Sequence, residues 1–152
     1  MIGFSKNLVL KEIGVSEYAD GRTLYELMRS FTFTYQIGPR KDTIKVPKGF
    51  VTDYATIPRI FWNIFPPNGE YSRASVVHDY LYRLESCPRY LADAIFYEGM
   101  RILNVPLWKR LTIYYAVRLF GGFARRVAKN REEILNQFKA LADNYTDTQK
   151  GI

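Results

Sequence analysis

At Asp53 the hydrophobic period of this chain changes, and no single-class fold accommodates both halves. Before it, SFTFTYQI sets Phe, Phe and Tyr at alternate positions, the repeat of a strand with one buried face. Three strand-like pieces, NLVLKEIGV, TLYELMRSFTFTYQIG and DTIKVPKGFVT, are separated by the turn-like YADGR and GPRKD. Pro47 and Gly49 interrupt the third piece, which predicts an edge strand or a bulge there. After Asp53 the spacing is helical. IPRIFWNIF reads as a short helical stretch stopped by Pro66 and Pro67, and PPNGEY reads as a turn. Ser72 is placed to cap a helix running to about Leu84, and Pro88 to open a second helix through ADAIFYEGMRIL. NVP breaks that helix, and a long basic, aromatic helix starts near Leu107, with Gly121–Gly122 as a kink or end. EEILNQFKALAD is amphipathic and precedes a polar tail.

Strands first and helices second predict an α+β fold. N-terminal antiparallel β-hairpins are followed by a helical part containing an αα-hairpin. The chain reads as a single domain over residues 1–152, β-rich over 1–55, helical over 56–142 and polar over 143–152. A content of 47% apolar residues is enough for a real core at this length, and excludes global disorder.

Charge narrows the partners. The formal net charge is +7, and eight Lys/Arg with no Asp or Glu lie between Arg101 and Arg131. Lys109, Arg110, Arg118, Arg125 and Arg126 in that stretch suit an anionic surface, whether a membrane, nucleic acid or an acidic protein, or else a solvated helix face. No nucleic-acid-binding motif accompanies the charge. The single cysteine, Cys87, excludes an internal disulfide framework and a multi-cysteine zinc site. The N-terminal MIGFSKNLVLKEIG is not a secretory signal. LTIYYAVRLFGGF is too short, and too charged at Arg118, for a span of roughly 20 apolar residues.

The only histidine lies in VVHDYLYR. His78 stands six residues before Leu84, and Asp93 five after Pro88. At about 1.5 Å per residue both lie roughly 8–9 Å from the connection between the two helices. They share a height and can touch if both face inward. A carboxylate on one imidazole nitrogen fixes the tautomer and leaves the other as a base. Tyr82, one turn beyond His78, can donate to the same carboxylate. Asp79 points about 100° away, where a carboxylate can hold a hard cation. The plainer alternative is a buried histidine satisfied by Asp93 with no chemistry. Asp53 caps the following helical turn, as Thr56 also can, or adds a third carboxylate to the site. No G-x-S-x-G, H-E-x-x-H, P-loop or Rossmann pattern occurs.

VPKGFVTDYATIPRIFW, PPNGEYSRASVVHDYLYR, ADAIFYEGM and AVRLFGG, in that order, resemble the phage and prophage domain-of-unknown-function family numbered 1353. That resemblance implies a bacteriophage or prophage origin. More distantly, HDYLY, a proline and ADAIF are similar to the helix pair of secreted-type phospholipases A2, their bacterial and parvoviral branches in particular. This second likeness implies His78 as the base, Asp93 as its orienting carboxylate, Tyr82 as the supporting phenol and Asp79 as a calcium ligand. The segment before the histidine, FPPNGEY, carries Gly69 alone where those enzymes have a glycine-rich calcium loop.

Two functions are therefore expected. One is a phage-encoded hydrolase of lipid or envelope esters at an anionic membrane. The other is a non-enzymatic virion or assembly protein docking on phage virion subunits. The expected location is the virion or the host cytoplasm.

Overall fold

The computed structural model describes residues 1–16, 22–54, 63, 69–84 and 86–122. Six strands precede three helices, an α+β arrangement. The strands are β1 (Gly3–Phe4), β2 (Leu10–Ser16), β3 (Arg22–Leu27), β4 (Phe31–Ile37), β5 (Arg40–Val46) and β6 (Val51–Thr52). They form two antiparallel three-stranded sheets, ordered β1-β4-β5 and β2-β3-β6. The helices are α1 (Ser72–Arg83), α2 (Arg89–Ile102) and α3, described over 107–122. The expected helices in IPRIFWNIF, apart from Asn63, and in EEILNQFKALAD fall outside the described residues.

β4 is the central strand of its sheet, and its alternation is realised: Phe31, Phe33 and Tyr35 are buried. Its hairpin with β5 turns through Gly38 and Pro39. Gly38 is left-handed at φ +58°, whereas the Pro39 ring holds a negative φ, so only the first central residue is left-handed, the II′ pattern of tight hairpins. The piece read as one long strand, TLYELMRSFTFTYQIG, divides between the sheets as β3 and β4. Periodicity could not mark that division, because both parts have strand spacing. The third piece divides as well. Pro47 accepts from the Phe50 N–H, and Gly49 at φ +84° turns the chain from the edge strand β5 into β6 of the other sheet. The bulge lies elsewhere, between Glu12 and Gly14 of β2.

Helix ends depart by one residue from expectation. Ser72 is the first helical residue rather than the cap, and its hydroxyl donates back to Gly69 O at 2.6 Å. Pro88 is the N-cap of α2. At the other end of α2, Asn104 is left-handed at φ +56°, and the N–H groups of Asn104 and Val105 donate to Arg101 O and Met100 O. This pair of bonds is a Schellman stop, and Pro106 comes directly after it. It turns the chain so that α3 packs back on the helical hairpin.

The α1–α2 hairpin packs on β4, burying Val76, Val77, Ile95, Phe96 and Met100 with Phe33 and Tyr35 in one core. The two helices approach closely at Gly99, where an added Cβ would sit 2.9 Å from Ala74 Cβ and 3.6 Å from its Cα. A backbone-limited contact cannot be relieved by a rotamer change. Gly99→Ala is therefore expected to destabilise by about 1–2 kcal/mol, overpacking outweighing the roughly 1 kcal/mol gain in helix propensity. A urea midpoint lowered at constant slope would show it, and an unchanged midpoint would refute it. Among the described residues, no helix is long and apolar enough to cross a membrane.

Candidate functional site

The three helices meet on one carboxylate. Asp93, on the inner face of α2, has no exposed surface. His78 Nε2–H donates to its Oδ1 at 2.8 Å, and the Tyr82 hydroxyl donates to the same oxygen at 2.5 Å. Arg118 Nη1 on α3 donates to Oδ2 at 2.9 Å. Arg89, one turn before Asp93 on α2, brings its Nε to 3.7 Å from that oxygen. Its Nη2 donates to the main-chain carbonyls of Val117 and Arg118. The predicted height match of His78 and Asp93 is thus present as a direct hydrogen bond, with Tyr82 beside it.

Glycine makes the third helix fit. A Cβ on Gly121 would stand 2.6 Å from the Tyr82 hydroxyl, and one on Gly122 would stand 3.1 Å from Arg89 Nη1. The pair expected to kink or end the helix remains helical through 122 and serves close approach instead. The chain after Gly122 lies outside the described residues.

Electrostatics agree with an ionised Asp93. Burial pushes its pKa up, but the hydrogen bonds from His78, Tyr82 and Arg118 outweigh that and hold the carboxyl below its ordinary value. Burial, then the bond to Asp93, pushes the Tyr82 phenol well above its ordinary value. The histidine ring is fully buried, with ring centroids 4.0 Å from Tyr82 and 4.8 Å from Phe96.

The other predicted site residues are dispersed. Asp79 faces the sheet and accepts from Thr52 Oγ1 at 2.5 Å; the same hydroxyl accepts from the Tyr54 N–H at 3.2 Å. Asp53 is partly buried just after β6. A hard cation takes six to eight oxygens, and Asp79 supplies one buried carboxylate already engaged by Thr52. Among the described residues no three His, Cys, Asp or Glu side chains cluster to hold a metal. Among the described residues, the donors around Asp79 do not make up the calcium site implied by the phospholipase likeness.

Three of the basic residues expected to meet an anionic surface have partners within the chain. Lys109 lies 3.9 Å from Glu70 and over the Tyr71 ring, Arg110 lies over the Tyr97 ring, and Arg118 holds Asp93. Arg125 and Arg126 lie outside the described residues. Arg89 was not foreseen as part of the site. Its position one helical turn before Asp93 was a usable signal, since such pairs lie on one face.

A family model described as "Protein of unknown function (DUF1353)" matches residues 25–117, from within β3 into α3 and including every member of the Asp93 cluster except Arg118. The chain belongs to the DUF1353 family. An "Uncharacterized protein y4jT" of Sinorhizobium fredii (strain NBRC 101917 / NGR234) is 40% identical over 105 residues, covering 68% of this chain. The match spans 30% of that longer protein. No solved structure matches this DUF1353 chain.

Proposed function

We propose that this DUF1353 protein is a non-enzymatic docking module of a phage or prophage assembly, in which the Asp93 cluster clasps three helices together. One observation carries the reading: His78 and Asp93 are both 0% exposed. A general base must come within hydrogen-bond reach of the proton it removes, and a sealed ring offers a substrate no approach. The outward face of α3 instead presents an apolar strip. Trp108 and Leu119 are 63% and 77% exposed, and with Tyr115 they fall within an arc of about 40° on the helix. Lys109, Arg110 and Arg118 already have partners in Glu70, the Tyr97 ring and Asp93, which favours a protein partner over an anionic membrane that would draw on such cations. The Sinorhizobium relative, with most of its length outside the match, agrees with a module that works beside further polypeptide. The resemblance to phage and prophage proteins supports a partner among virion subunits, met on the particle or during assembly in the host cytoplasm.

The alternative is a hydrolase of lipid or envelope esters using His78, and the His–Asp–Tyr hydrogen bonds favour it. His78→Gln separates the two. The docking reading expects no His78-dependent fatty-acid release from anionic vesicles, and a melting temperature lowered by several degrees, about 1–3 kcal/mol. Release that vanishes in His78→Gln, while melting is unchanged, supports the hydrolase and overturns the clasp. On the particle side, wild-type protein should sediment with purified phage particles, and Trp108→Asp should not. Protein found only free of particles counts against docking.

A further inference from the structure

Beside the clasp, and separate from it, a cleft of about 470 Å³ opens between the β4–β5 turn, α2 and α3. Its walls carry three tyrosines, Tyr97, Tyr114 and Tyr115, with Gln36 and Glu98 among them. The rings are arranged edge to face, Tyr97 to Tyr114 at 5.5 Å and Tyr114 to Tyr115 at 5.6 Å. Its volume lies in the range of small-ligand sites, roughly 300–1,000 Å³.

From this lining we infer a binding site for a neutral saccharide. Three features of the lining select that class. Aromatic rings offer flat apolar faces for the C–H side of a sugar ring. Among the described residues the cleft presents no unpaired charge, because Glu98 is held by Arg101 through two bonds of 2.6 and 2.8 Å. A cationic ligand is disfavoured further by Arg110, which already lies over the Tyr97 ring at 5.2 Å. The polar groups are of both kinds. Phenol hydroxyls donate and accept, the Glu98 carboxylate accepts, and the Gln36 amide donates to Gly38 O, which orients its oxygen as an acceptor. Sugar hydroxyls answer both kinds. A proline-rich peptide, the other neutral ligand of aromatic grooves, has no N–H on its prolines and leaves the acceptors unmet.

The test is titration of the full chain with maltotetraose, cellotetraose and chitotetraose, monitored by NMR of the tyrosine rings, with decaproline and choline alongside. At least one tetrasaccharide should bind with a Kd on the order of 1 mM and shift the ring signals of Tyr97, Tyr114 or Tyr115. Tyr115→Ala should weaken that binding roughly five- to tenfold. Tyr115 is 60% exposed, so the variant should fold normally, which its melting temperature checks. Val15→Ala, on the distant β2, should bind as wild type. Absence of saccharide binding, binding unaffected by Tyr115→Ala, or preferential binding of decaproline or choline each overturns the assignment.

Discussion

Asp93→Ala is expected to cost about 3–5 kcal/mol of folding free energy, the range for removing one member of a buried charged network. In a chain of this size that is a fall in melting temperature of roughly 10 °C or more. The loss comes from the groups left behind. His78 and Tyr82 would be buried donors without their acceptor, and the two guanidiniums would face each other with no intervening negative charge. Arg89 and Arg118 side chains are 30% and 39% exposed, so water screens part of their share. Most of the cost therefore falls on the His78 and Tyr82 bonds. Asp93→Asn tests this directly, because it keeps the shape and removes the charge. It should lose clearly less than alanine in urea unfolding, because its amide oxygen still accepts from His78 and Tyr82 while its NH2 faces Arg118. An Asn variant as unstable as alanine would show that the charge, rather than those two bonds, carries the cluster.

Alkaline unfolding above pH 10 is the second large effect. Tyr54, Tyr71 and Tyr82 are buried, and burial pushes each phenol well above its ordinary value; Asp79, Glu70 and Asp93 respectively raise them further. A raised folded-state pKa means that the folded protein keeps a proton which the unfolded chain releases near pH 10. The stabilisation is complete below that value and is lost as pH rises towards the folded one. Each phenol then forfeits up to about 1.4 kcal/mol per pH unit, so the three together remove several kcal/mol by pH 12, a large part of the stability of a typical domain. Tyrosinate absorbance and loss of helical circular dichroism should rise together in one cooperative step. Phenols titrating smoothly near pH 10 while the helices persist would refute it. On the acid side the sign reverses. The Asp93 carboxyl lies below its ordinary value, so its contribution is present above about pH 4 and is lost as pH falls through the folded value.

The hydrolase-like reading of VVHDYLYR shows how far local geometry carries an inference about function. Helix rise placed His78 opposite Asp93, and the fold keeps them bonded. The same bond occurs in an active site and in a buried clasp, and the two differ in whether anything can reach the ring. Accessibility belongs to the assembled layers around α1, on which the spacing of residues within α1 is silent.

Legibility in the sequence tracked the range of the interaction. The order of strands and helices, the buried Phe31–Phe33–Tyr35 face, the hairpin turn at Gly38 and the helix break at Asn104 all rest on forces between residues a few positions apart. Periodicity and backbone stereochemistry express such forces directly, so the α+β class and the pairing of α1 with α2 were determined by the chain as written. The division of residues 22–37 between two sheets was not, because a strand's repeat does not say which sheet it joins. Nor was the meeting of Arg118 with Asp93, 25 positions away, or the turning of Asp79 towards Thr52. The first of these exists because a third helix can pack within reach of Tyr82 and Arg89 where Gly121 and Gly122 carry no side chain. Only the closed tertiary structure decides which charges it pairs and which faces it leaves to solvent.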